Sequence, residues 1–259
     1  MTSSANNKSL NLKPGYTIRN KYRLISKLGE GAFGSIFITE NTETNEKCAV
    51  KIESSRNKKL VLKMEVAVLR QVQGKPQFPK IYSCGKDLEK EFSYIVMSLL
   101  GPNLTELRKS HRDRFSVSTT LRIGKQIVTA LEILHNIGFL HRDIKPSNFV
   151  IGRRRSEYGR IFILDFGLSR EYKTSQGVVR RPREKAGFRG TIRYASLNAH
   201  KNRDLGCHDD MISLLYMLVE FIKGFLPWAR EGTTAALILK IALKESLKSR
   251  YHYQNYNSN

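Results

Sequence analysis

Cysteine is scarce in this sequence. Cys48, Cys84 and Cys207 are the only three among 259 residues, and no two form a C-x-x-C pair. An odd, scattered set excludes a disulfide framework and a zinc knuckle, and it points to a reducing compartment. Cys207-His208 reads as a structural or loop pair rather than a metal site. Long apolar runs are missing as well. None approaches the roughly 20 residues of a membrane span, and the opening MTSSANNKSLNLKPG has no apolar signal core. The expectation is a cytoplasmic or nuclear chain with no membrane partner. Acidic residues are also in short supply, 23 against 45 Lys and Arg, for a net charge of +22. Such a chain favours acidic partners: nucleotides, phosphorylated or acidic proteins, nucleic acid or an anionic surface. The excess is concentrated, with 14 basic and 5 acidic residues between 141 and 200.

What is present has a clear order. Residues 1–20 are Ser/Asn-rich and expected to be flexible. YRLISKLG, SIFITEN and KCAVKIES read as strands, with turns at 29–34 and 41–46. A helix follows near 58–72, with Leu62, Val66 and Leu69 on one face. KIYSCG and FSYIVMSLL are two more strands. Ser118 is placed to cap a long helix whose face carries Leu121, Ile127, Val128, Leu131 and Leu134. FVIG and IFILDF are short strands, 167–193 is a Gly/Arg-rich loop, and another helix is expected near 209–222. No internal repeat is found. The outline is α+β and bilobal: a small β-rich lobe over 21–97, a hinge over 98–101 and a mainly helical lobe over 102–228.

Several clusters on this outline can do chemistry. GEGAFGSI at 29–36 is a G-x-G-x-x-G between two strand-like runs. Glycines let backbone N–H groups approach phosphates. A dinucleotide fold would put a helix after them, so a glycine-rich flap fits better, and a plain hairpin turn is the alternative. Lys51 ends the apolar CAVK and could simply snorkel to solvent. Glu65, however, shares the apolar helix face of Leu62 and Leu69. A carboxylate facing a core needs a cation, and Lys51 is the natural one; an exposed Glu at the stripe's edge is the alternative. HRDIKPSN at 141–148 brings Asp143, Lys145 and Asn148 into one polar loop. Asp165 closes an apolar strand just before a glycine. Asp165 and Asn148 form a hard-oxygen pair suited to Mg²⁺. In that setting Asp143 can accept a proton from an attacking hydroxyl and Lys145 can steady a transferring phosphoryl group.

GEGAFGSI, CAVK, Glu65, HRDIKPSN and DFG, in that order, resemble the protein-kinase signature set over residues 21–228. The resemblance implies ATP and Mg²⁺ as cofactors and Ser/Thr hydroxyls of proteins as acceptors. It implies that Gly29, Gly31 and Gly34 cover the phosphates and that Lys51, paired with Glu65, holds them. Leu28, Ile36, Ala49 and Val150 would sandwich adenine, Met97 would be the gatekeeper, and backbone at 98–100, including Leu100, would meet the base. Asp143 would be the base and Asn148 and Asp165 the metal ligands, with Asp210 bracing the loop. The usual A-P-E is absent. GTIRYASLNAHKNRDLGCHDD resembles the casein kinase I superfamily, and AGFRGT, NAHKNR and LKMEVAVL are similar to its tau-tubulin kinase branch. That branch implies acidic, phosphorylated or cytoskeletal protein substrates; a monomer is expected. Arg189 and Arg193, with Arg180, Arg181, Arg183 and Lys185 nearby, could form the matching anion site.

The resemblance breaks in two places. Ile212 stands where the tau-tubulin branch has Trp. After LPW at 226–228, residues 229–259 diverge, and the family's last helices are missing. The helix near 211–222 is apolar nearly all round and expects burial on every side. Residues 235–247 could supply a substitute helix. Two readings follow: an active Ser/Thr kinase with a shortened C-terminal lobe, or a truncated scaffold that binds nucleotide or substrate with little catalysis. Nucleic-acid binding is a remote third, since no such motif is found.

Overall fold

The computed structural model describes residues 12–31, 34–56, 61–229, 238, 240 and 241. The chain divides into two compact units. One is Met1–Gly101 with Gly152–Tyr158, and the other is Pro102–Ile151 with Gly159–Asn259.

Among the described residues, the first unit is built on a six-stranded antiparallel sheet with one α-helix and a short 3-10 turn at Arg155–Glu157. Its strands are β1 (Thr17–Ile18), β2 (Tyr22–Gly31), β3 (Gly34–Asn41), β4 (Lys47–Ser54), β5 (Ile81–Asp87) and β6 (Phe92–Ser98), in the order β1-β2-β3-β4-β6-β5. β1 lies in the segment expected to be loose, yet it pairs with β2 and buries Ile18. The period-2 pattern sorts the side chains of the sheet. Phe37, Val50 and Val96 are directly paired and sit in a core with Cys48, Ile52, Phe92 and Tyr94. Their neighbours Ile36, Ala49, Lys51 and Met97 therefore belong to the opposite face. The helix α1 (Val61–Gln71) buries Leu62, Glu65, Val68 and Leu69. Its first turn has no acidic residue of its own. The carboxylate of Glu53, buried in β4, accepts from the N–H of Val61 at 3.1 Å and of Leu62 at 2.8 Å. A negative charge on otherwise orphaned N–H groups suits a helix start.

The second unit is mainly helical. It contains α2 (Leu104–Ser110), α3 (Val117–Asn136), β7 (Phe139–Leu140), β8 (Phe149–Ile151), β9 (Ile161–Ile163), β10 (Arg170–Glu171), α4 (Leu197–His200) and α5 (Cys207–Lys223). The cap of α3 falls two residues before the expected one. Ser116 is the N-cap, and its Oγ accepts from Thr119 N–H at 3.1 Å. The buried face is Ile123, Gly124, Ile127, Leu131 and Leu134, whereas Leu121 and Val128 are exposed, against expectation. The face turns because α3 packs on α5 through Gly124. A Cβ at Gly124 would sit 2.9 Å from Leu218 Cδ1, so any larger residue would make that leucine shift. α5 is not buried all round either: Leu214, Met217 and Phe221 are inside, while Met211, Leu215 and Val219 are exposed. Ile238, Lys240 and Ile241 are helical, as expected near 235–247; the rest of that stretch lies outside the described residues.

Candidate active site

In the first unit, Lys51 Nζ lies 2.6 Å from Glu65 Oε2, so the strand cation and the helix carboxylate form a pair. Glu65 is buried and Lys51 largely so. Register explains the meeting: Lys51 sits in β4 on the face away from the sheet core, where α1 packs. Ile36, Ala49 and Met97 share that face, through the pairs Ile36↔Lys51 and Ala49↔Met97. Leu28 is exposed, Met97 is buried and Leu100 is half-buried just after β6. The glycines divide by role. Gly31 closes β2 opposite Gly34. A Cβ at Gly34 would fall 2.0 Å from the carbonyl oxygen of Ile52, so this position needs glycine for strand packing alone. A Cβ at Gly29 would meet nothing within 4 Å. Residues 32 and 33, at the tip, lie outside the described residues.

In the second unit, the loop between β7 and β8 is fixed from below by Asp210 of α5. This buried carboxylate accepts from the backbone N–H of His141 and of Arg142, each at 2.8 Å, and meets His135 Nε2 at 2.9 Å. Arg142 is held at φ 66°, a strained value for a non-glycine residue. Asp143 is thereby presented with both oxygens engaged. Oδ2 is 2.6 Å from Lys145 Nζ, and Oδ1 accepts from Thr191 Oγ1 at 2.7 Å. Asn148 Nδ2 donates to the Asp143 carbonyl at 2.8 Å, which fixes the amide and turns its oxygen the other way. β8 and β9 pair with Val150 opposite Phe162, and Leu164 N–H donates to Asn148 O at 2.8 Å. Asp165 is the next residue, in the left-handed region at φ 64°. The two oxygen donors expected from the sequence are thus tied to one hairpin, and an amide oxygen with a carboxylate fits Mg²⁺ chemistry. Among the described residues, no group of three or more His, Cys, Asp or Glu offers another metal site. His141 joins the loop to Phe166: its Nε2 meets Leu164 O at 3.1 Å, and its ring stands edge-on to Phe166 at 5.4 Å.

Arg189 and Arg193, expected together in an anion site, part company. Arg189 is exposed, with no carboxylate in ion-pair range among the described residues. Arg193 instead turns to Glu220, with Nη1 3.2 Å from Oε1 and Nη2 donating to Ala229 O at 3.3 Å. The reason is burial. Glu220 is almost fully enclosed and gathers Arg193, Arg108 at 3.3 Å and the Tyr194 hydroxyl at 2.5 Å. Burial and this bond to a carboxylate push the Tyr194 phenol well above its usual range. Arg180 pairs with Glu171, and Arg183 pairs with Asp204. Arg170 also reaches Asp204, at 3.2 Å. Burial, then the neighbouring charges of Arg170, Arg183 and Arg189, push Arg142 down to about 10.

Sequence reasoning did not find Thr191 as a partner of Asp143. The available signal was the preceding glycine. Gly190 has φ 102°, and a Cβ there would lie 2.6 Å from the Arg142 carbonyl oxygen, so the two loops touch at a point that demands glycine.

Comparison with known proteins bears on the family. The Protein kinase domain family matches residues 22–258, which takes in the stretch after 228. A probable serine/threonine-protein kinase of Dictyostelium discoideum is 45% identical over 217 residues, covering 83% of this chain and 43% of the relative. A putative serine/threonine-protein kinase of Caenorhabditis elegans is 41% identical over 215 residues, covering 81% and 62%. A putative casein kinase I of the same animal is 36% identical over 225 residues, covering 85% and 65%. The chain thus spans between 43% and 65% of the length of these relatives. With an aspartate, lysine and asparagine locked in one loop and an α+β architecture on both counts, the chain belongs to the protein kinase domain family.

Proposed function

We propose that this chain is a serine/threonine protein kinase that moves the γ-phosphoryl group of ATP to a Ser or Thr hydroxyl of a protein. The observation that carries this reading is the setting of Asp143, held between Lys145 and Thr191 and backed by Asn148. An acceptor hydroxyl that reaches Asp143 can give up its proton to the carboxylate as its oxygen bonds phosphorus and the bridging oxygen leaves with ADP. Lys145 sits where it can offset charge on the moving group, so positioning and electrostatics do most of the catalysis. Mg²⁺ would be held by Asn148 and Asp165 and would neutralise phosphate charge. The nucleotide residues would be Leu28, Gly29, Gly31, Gly34, Ile36, Ala49, Lys51, Met97, Leu100 and Val150. Transfer of phosphate from Mg-ATP to casein, absent in Asp165→Ala, tests the reading. A folded wild-type chain that transfers nothing would overturn it in favour of a nucleotide- or substrate-binding scaffold.

The acceptor is acidic or already phosphorylated, as in the casein kinase I superfamily and its tau-tubulin branch. Support comes from Arg142, Arg170, Arg183 and Arg189. Burial first, and then repulsion from Arg170, Arg183 and Arg189, holds Arg142 below its usual range, with Asp204 as the carboxylate among them. A bound anion would relieve that repulsion. Arg189 is the open member, and Arg193 is engaged by Glu220. Equal kcat/KM on phosphorylated and unphosphorylated forms of one peptide would refute this preference.

A further inference from the structure

Lys240 is a lysine in the apolar run AALILKIAL, and it is 1% exposed. Its Nζ donates to Ile192 O at 2.9 Å and Ala195 O at 2.7 Å, and it meets His200 Nε2 at 3.0 Å. An ammonium carries three N–H donors, and here three acceptors surround it. The faces of Tyr216 and Trp228 lie 5.2 and 5.3 Å away, within cation–π range. Burial alone pushes this ammonium down to about 7. Three acceptors and two ring faces work the other way and favour the charged form. A helix that merely covered the lobe would need only an apolar side chain at this point, so the buried donor calls for another explanation.

That explanation lies in what the donor holds. The turn 191–195 begins with Thr191, whose hydroxyl reaches Asp143, and Thr191 O accepts from the N–H of Tyr194 and of Ala195, each at 3.0 Å. The outward carbonyls of the same turn are held from beneath. Lys240 takes those of residues 192 and 195, and Trp228 Nε1 donates to Arg193 O at 2.7 Å. We infer that Lys240 is a positioning residue that clamps the turn 191–195, so that Thr191 keeps Asp143 aligned for the incoming hydroxyl. The inference rests on the kinase reading of Asp143.

The test compares wild type, Lys240→Gln and Lys240→Met. Glutamine keeps two donors and methionine keeps only the stem. The expected order of kcat/KM for casein is wild type, then Gln, then Met, with Met lower by about tenfold or more and the KM for Mg-ATP within about twofold of wild type. Amide exchange at Tyr194 and Ala195 should speed up in Lys240→Met, while the amides of α3 hold. Should Lys240→Met fail to fold, wild type against Lys240→Gln carries the comparison. An active wild type with variants equal to it in rate and exchange overturns the clamp and leaves the kinase reading intact. Exchange that rises throughout the second unit, with both KM values worsening together, overturns it in favour of plain structural support. An inactive wild type fails the kinase reading, and faster exchange confined to the turn would still show the clamp.

Discussion

Asp210→Ala removes the acceptor on which the 141–148 loop stands. Two backbone N–H groups, those of His141 and Arg142, now each meet a carboxylate oxygen at 2.8 Å. His141 is fully buried, so solvent does not replace the lost partner. An unsatisfied buried donor costs about 1–3 kcal/mol, so the loss at His141 costs about that much and half-buried Arg142 adds less. Against a typical total of about 5–15 kcal/mol, that is a large fraction. Asp210→Asn keeps one acceptor oxygen and should lose about half as much. The effect on rate should exceed the effect on stability, because Arg142 at φ 66° relaxes once unpinned and carries Asp143 with it. Urea unfolding, amide exchange at His141 and Arg142, and kcat on casein measured below the unfolding midpoint check the three parts. A loss under about 1 kcal/mol in Asp210→Ala, or a large loss with kcat unchanged, would refute the reasoning.

Gly34→Ala should force β3 away from β4, since its Cβ would overlap the Ile52 carbonyl; the expected readouts are a raised KM for Mg-ATP and a lowered melting temperature, while Gly29→Ala leaves stability near wild type. Glu65→Gln should lower kcat/KM by about 100-fold while leaving the fold intact by circular dichroism, because it weakens the hold on Lys51 at 2.6 Å. Glu53→Gln should destabilise by about 1 kcal/mol through loss of the charge at the start of α1, seen in thermal melts. Burial and the adjacent Lys240 push His200 down to about 4 from an ordinary 6.5. The unfolded chain then binds the extra proton first, so this contribution to stability is present above pH 6.5 and is lost as the pH falls toward 4. His200→Phe should flatten that part of the stability–pH profile.

Local order was legible where one residue's chemistry demanded a partner close by. Glu65 on an apolar helix face called for a cation, and the nearest strand offered Lys51. The polar loop at 141–148 was legible because acid, base and amide fall within eight residues. The cap of α3 was misread because Ser116 and Ser118 are both good cap residues; the choice fell to the one whose hydroxyl reaches an N–H three residues on. The faces of α3 and α5 were misread because apolar periodicity does not say which side a close helix contact through Gly124 will select. Arg193 is drawn from the expected anion site because Glu220, a buried carboxylate 27 residues away, needs cations around it. Thr191 was missed because its partner is 48 residues distant and no period links them.

One arrangement in the first unit has a mechanical consequence. β4 carries Glu53 and Lys51 two residues apart; the first grips the opening N–H groups of α1 and the second grips Glu65 one turn later. A rod fastened to a plate at two points along its length can neither roll about its axis nor slide without breaking both fastenings. A partner that silenced this chain by swinging α1 aside would have to outweigh the two attachments together. An inhibitor acting at either attachment alone would leave the rod hinged on the other.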